Sequence, residues 1–124
     1  MGWIGDIASF FGLRHNPQGR WYVYYIMHPR TEKVVYVGKG VNGRMYQHAE
    51  QTRRLLKRGV RGAMQMKCLD KWFIQLWDEG LGAKYAIVYR TDDEQDAYRH
   101  EARSIDHFGL PQLLNAIPGH RRYR

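Results

Sequence analysis

The chain has 124 residues, 44% apolar and 14% aromatic, which suits a single packed domain burying roughly two thirds of its unfolded surface and excludes a disordered segment. Twenty Lys and Arg stand against 12 Asp and Glu, a net charge of +8 with a pI near 9.8, and that balance points to a polyanionic partner. The single cysteine, Cys68, excludes an intrachain disulfide and the Cys-rich zinc arrangements, and it suits a reducing, intracellular setting in cytoplasm or nucleus.

Residues 1–13, MGWIGDIASFFGL, place apolar side chains at 3, 4, 7, 10 and 11, the spacing of a short amphipathic helix. Such a helix packs on the core or anchors the chain to a membrane or a partner. It is not a secretion signal, because the basic leading region is absent and Asp6 interrupts the apolar run; no stretch approaches the ~20 apolar residues of a membrane span. HNPQG at 15–19 is a turn-rich boundary. The sequence therefore divides into an amphipathic segment and linker (1–19), a domain (20–119) and a basic tail (120–124).

Within that domain, WYVYYIMH at 21–28 and KVVYVG at 33–38 are rich in aromatic and β-branched residues and flank the turn PRTE, which predicts an antiparallel hairpin. A helix is expected over 42–57, ending at Gly59, and a second over 65–79, with Met66, Leu69, Trp72, Phe73, Leu76 and Trp77 as its apolar stripe. AKYAIVYRT at 83–91 is a third strand. TDDE then opens a helix running to Gly109, capped by Thr91 or Asp92 and with acids at its positive end. These elements predict an α+β fold: a small three-stranded antiparallel or mixed sheet flanked by helices in the order ββααβα.

Three features carry chemistry. Arg44 and His48 lie one helical turn apart on one face. Just before them, GKG at 38–40 lets the backbone approach a phosphate closely and aims Lys39 from the end of a strand. Glu101 falls among the apolar residues Ala97, Tyr98, Ala102, Ile105 and Phe108 of the last helix, where a carboxylate is costly unless it is paired, hydrogen-bonded or holding a cation. Its alternative is to tilt outward and pair with an arginine. The GKG segment is not a phosphate-binding loop of the Walker type, since Lys33 stands where that motif needs a glycine and Gly40 where it needs Ser or Thr. His100 and His107 fall off the Glu101 face and read as solvent-side residues.

Together these residues resemble the GIY-YIG endonuclease domain over about residues 20–119. Tyr22, Val23 and Tyr24 stand at the first motif and Tyr36, Val37 and Gly38 at the second. Lys39 and Gly40 after it are similar to the bacterial excision-repair incision subunit and the animal LEM-domain nucleases. Arg44 and His48 match the following R-x-x-x-H, Glu101 the metal-binding glutamate and Asn115 the late asparagine. Tyr22 replaces the leading glycine of the first motif. Tyr25 competes with Tyr24 for its tyrosine, and Tyr24 is preferred because it shares strand parity with Tyr22 and Ile26.

The resemblance implies a metal-dependent endonuclease acting on DNA, duplex or branched, through a single Mg²⁺ or Mn²⁺ held by Glu101. Tyr24 or Tyr36 would deprotonate water or assist, with Lys39 favouring the phenolate or His48 sharing the task; Arg44 would clamp the phosphate and Asn115 would orient a tyrosine or phosphate oxygen. The competing reading is a non-catalytic nucleic-acid-binding module on the same scaffold. In either case Arg53, Arg54, Lys57, Arg58 and Arg61, with Arg121 and Arg122 of the tail, would meet phosphates beside Lys39 and Arg44. A third reading is a partner protein docked through residues 1–13.

Overall fold

A computed structural model describes residues 16–59 and 66–115. Segment 1–13, Arg61, the expected helix start at 65 and the tail with Arg121 and Arg122 lie outside the described residues.

Three strands form one antiparallel sheet in the order β2-β1-β3: β1 is Trp21–Met27, β2 Val34–Gly40 and β3 Lys84–Thr91. The helices are α1 (Gln47–Lys57), entered through a tight 3-10 turn at Arg44–Tyr46, α2 (Cys68–Asp78) and α3 (Glu94–Phe108). The fold is thus α+β in the expected ββααβα order. Among the described residues, no helix is long and apolar enough to cross a membrane.

The central strand explains why its sequence is apolar nearly throughout. Residues 22–27 are all buried because both faces of the sheet are covered. Val23, Tyr25 and Met27 pack with Val37, Val88 and Tyr89 against Ala97 and Ile105 of α3. Tyr22, Tyr24, Ile26 and Tyr36 pack with Ala49 of α1 and with Leu69 and Phe73 of α2. A register shift opposite Val23 and Tyr24 lets both Val88 and Tyr89 join the α3 side, the expected effect of one extra residue in a strand.

The cap of α3 differs from expectation. Asp93 accepts a hydrogen bond from the Gln95 amide at 3.0 Å. Thr91 still belongs to β3, and Asp92 is occupied by Asn16 Nδ2 and the Arg20 amide, which tie the turn at 16–19 to the sheet.

His100 also corrects the sequence reading, for it is fully buried and stacks on Tyr89 with ring centroids 4.4 Å apart. The buried stripe of α3 is Ala97, His100, Glu101, Ser104 and Ile105, so two polar residues take places that apolarity alone gave to Tyr98 and Ala102. They are accommodated by polar partners, since Tyr25 donates to Ser104 at 3.0 Å and Ser104 Oγ lies 3.4 Å from His100 Nδ1. His107 is exposed, as expected.

Between α1 and α2 the unanticipated fastener is Asp70. Its carboxylate accepts from Thr52 Oγ1 at 2.5 Å and from the Lys67 amide at 2.8 Å, capping α2 and joining it to α1. The sequence signal was present, because an acid at the third position of a helix is a capping arrangement.

Candidate active site

A cleft of about 150 Å³ is lined by Tyr24, Tyr36, Lys39, Arg44, Gln47, His48 and Glu101. Six of these seven are residues that the sequence singled out; Gln47, the first residue of α1, carried no signal of its own.

Strand geometry places the tyrosines. Tyr24 pairs with Gly38 across β1 and β2, and the glycine is required there: a Cβ on Gly38 would sit 2.4 Å from Tyr24 Cζ and 2.5 Å from its hydroxyl. Gly40 plays the same part for the next turn, where an added Cβ would lie 2.6 Å from Cβ of Arg44. The two glycines flanking Lys39 thus make room for Tyr24 and Arg44. Tyr22 fixes the connecting loop, donating to the Asn42 carbonyl at 2.6 Å and accepting from the Met45 amide at 3.1 Å.

Tyr36 and His48 form a hydrogen-bonded pair, hydroxyl to Nε2 at 3.0 Å, with their rings edge to face at 4.8 Å. The other tyrosine is chemically distinct. Tyr24 is 2% exposed, and burial, followed by the proximity of Tyr36, Tyr22 and Glu101, drives its pKa well above the ordinary phenol value. Its hydroxyl therefore keeps its proton across the neutral range. Tyr25 lies on the opposite face of the sheet from Tyr24, with its hydroxyl on Ser104.

Glu101 is 3% exposed and is the one acid among the described residues lining the cleft. Lys39 reaches the same cleft, yet its ammonium is paired with Glu94 at 2.9 Å and lies 4.4 Å from the Trp21 ring centroid and 4.0 Å from that of Tyr98. The lysine is therefore an anchor for the first turn of α3. Asn115 is held differently from the others, outside this cleft: its Nδ2 donates to the Val37 carbonyl at 2.8 Å and its Oδ1 accepts from the Val37 amide at 3.1 Å. With Leu114 N on Val35 O and Gln112 Nε2 on Val34 O, it closes the free edge of β2.

Of the described basic residues here, Arg54 and Lys57 are exposed on α1 and Arg58 just past its end, and Arg53 is paired with Glu50 and lies over the Trp77 ring. Arg54 and Arg58 share a groove with Lys67, a cation that the sequence reading passed over.

Comparison with protein families gives one finding: the model of the LEM-3-like GIY-YIG domain matches residues 25–123. The matched span takes in Tyr36, Lys39, Arg44, His48, Glu101 and Asn115 and begins one residue after Tyr24. Neither the curated proteins nor the solved structures yield a significant match.

Proposed function

The chain belongs to the LEM-3-like GIY-YIG family, whose members are nucleases, and on that premise we propose that it is a metal-dependent endonuclease hydrolysing DNA phosphodiester bonds. The observation that carries this reading is the single cleft that gathers a buried carboxylate, a tyrosine–histidine pair and an arginine. Hydrolysis of a phosphodiester needs a base for the attacking water and cationic or hydrogen-bonding groups for the charge that develops on the phosphate oxygens.

The donor set suits a hard divalent ion. Glu101, the one acid among the described residues lining the cleft, would be the protein's ligand. Glu101 would hold Mg²⁺ or Mn²⁺, hard ions that a single carboxylate together with a substrate phosphate suits. When bound, such an ion supplies positive charge at the scissile phosphate and at the departing 3′ oxygen.

The residues then divide the work. Arg44 offers its planar fork to the phosphate. Tyr36 takes a proton from water as its own proton passes to His48 Nε2, for which the histidine carries its ring proton on Nδ1. Water adds to phosphorus, the P–O3′ bond breaks with its electron pair going to the 3′ oxygen, and that oxygen takes a proton from solvent while His48 later returns its proton to solvent. Tyr24, whose burial favours the protonated phenol, lines the same cleft and is placed to donate a hydrogen bond.

Incubation of supercoiled plasmid with the purified chain and Mg²⁺ or Mn²⁺ is expected to produce nicks. Glu101→Gln removes the charge at constant shape and should abolish cleavage while DNA binding persists. Full cleavage by that variant refutes the assignment; no cleavage by the wild type with either metal favours a binding module instead.

A further inference from the structure

His48 is where three depressions meet. The first is the cleft just described. The second, about 470 Å³, runs from Tyr36 and His48 past Lys67 and Cys68 to an apolar floor of Leu69, Leu113 and Leu114. The third, about 300 Å³, carries Arg54, Arg58 and Lys67. Asp70 also lines it, but that carboxylate is already receiving Thr52 and the Lys67 amide.

We propose that the apolar depression is a nucleobase subsite, which takes the base of the nucleotide next to the scissile phosphate; this rests on the nuclease reading above. A nucleic-acid strand alternates a charged phosphate with a flat base whose faces are apolar, and the surface around His48 sets cationic and apolar lining side by side. Arg44 lines the cleft, Leu69, Leu113 and Leu114 line the depression beside it, and Arg54, Arg58 and Lys67 line the groove that adjoins both at His48. The continuity is physical, because Tyr36 and His48 line both the cleft and the apolar depression.

The lining also says what such a subsite reads. Asn115 borders it, yet both ends of its amide are engaged by Val37. The rest of the described lining is leucine side chains, the Tyr36 and His48 rings, the Cys68 thiol and Lys67, which favour shape, stacking and charge over a fixed pattern of base hydrogen bonds. A base inside a duplex must leave its stack to enter, at a cost of a few kcal/mol that is smallest where the nucleotide is already unpaired. The subsite therefore favours strands whose nucleotide beside the cleavage point is unpaired, with little dependence on its identity.

Cys68 provides the test, for it is exposed, lines the depression and is the chain's single cysteine. The rate of its alkylation by a maleimide is measured on the full chain in EDTA, so that no strand is cut, with a short thymidine oligonucleotide or with an abasic strand of the same phosphate number. Protection by the thymidine strand is expected, and loss of the bases should raise the concentration for half-protection by about fivefold or more. Equal protection by both strands, or protection by neither, overturns the subsite. Plasmid nicking is scored separately, so failure of the subsite and failure of the nuclease reading are distinguishable. Arg54→Ala with Arg58→Ala should weaken protection by the thymidine strand, and unchanged protection counts against the phosphate position beyond it.

Discussion

Gly38→Ala is a one-carbon change whose effect follows from the Tyr24 contact. The new methyl would lie 2.4 Å from Cζ of a tyrosine that is 2% exposed, whereas carbon atoms in contact prefer about 3.5–4.0 Å, so the ring must retreat by about 1 Å. Two effects on stability oppose each other. Alanine in an extended strand is better than glycine by about 0.5–1 kcal/mol, and overpacking a filled core costs about 1–3 kcal/mol. The difference leaves a net loss of up to about 2.5 kcal/mol in urea denaturation.

Activity suffers more than stability, because displacing a positioned group by about 1 Å costs on the order of 100-fold in rate. Plasmid nicking under conditions where the variant is fully folded separates the two effects. The decisive control is Gly38→Ala in a Tyr24→Ala background, where the clash has no partner and the second change should add almost nothing. Nicking by Gly38→Ala at the wild-type rate, or an equal penalty in both backgrounds, refutes the argument.

Other outcomes follow from the same geometry. Tyr36→Phe and His48→Ala should each lower the single-turnover rate by about 10²–10⁴, and the double variant should be little worse than either, since the pair moves one proton; additive losses would show that the two act separately. Asn115→Ala should lower the urea midpoint by removing two hydrogen bonds to Val37, a loss of about 1–3 kcal/mol; an unchanged midpoint with lost cleavage would place Asn115 on the substrate instead. Burial pushes the Tyr25 phenol up to about 12, against a smaller opposing effect of its hydrogen bond to Ser104, so the folded chain holds this proton more tightly than the unfolded one. The resulting stability is fully present below about pH 10 and is lost as pH rises towards 12. Tyr25→Phe should flatten that alkaline decline in urea titrations, and an unchanged slope would contradict it.

Much of the fold was legible because the chain states its periods clearly. β1 reads as a strand from its aromatic and β-branched run, and Tyr24 was separable from Tyr25 by alternation alone, which places Tyr22, Tyr24 and Ile26 on one face. Glu101 was visible as a charge among apolar neighbours. What could not be read were features set by contacts distant in sequence. His100 looked like a solvent residue on α3 until Tyr89, eleven positions earlier, supplied a ring to stack on. The glycines around Lys39 suggested space for a phosphate, and only the register of β1 against β2 shows that a tyrosine and an arginine fill that space. That Lys39, which lines the cleft, also pairs with Glu94 between Trp21 and Tyr98 could not be read, because those three are scattered along the chain.

That lysine has a mechanical consequence. Its pairing with Glu94 secures α3 at its first turn, and the contact of Ser104 with Tyr25 secures it further along. Glu101 lies between the two fastenings, about two turns from the first. A rod fastened at two points neither slides nor rolls, and a slip of one residue would carry the carboxylate about 1.5 Å along the axis and about 100° around it. The position of the carboxylate is thereby a property of the entire helix: its tolerance is set by how firmly α3 is clamped to the sheet, and no freedom of a loop enters into it.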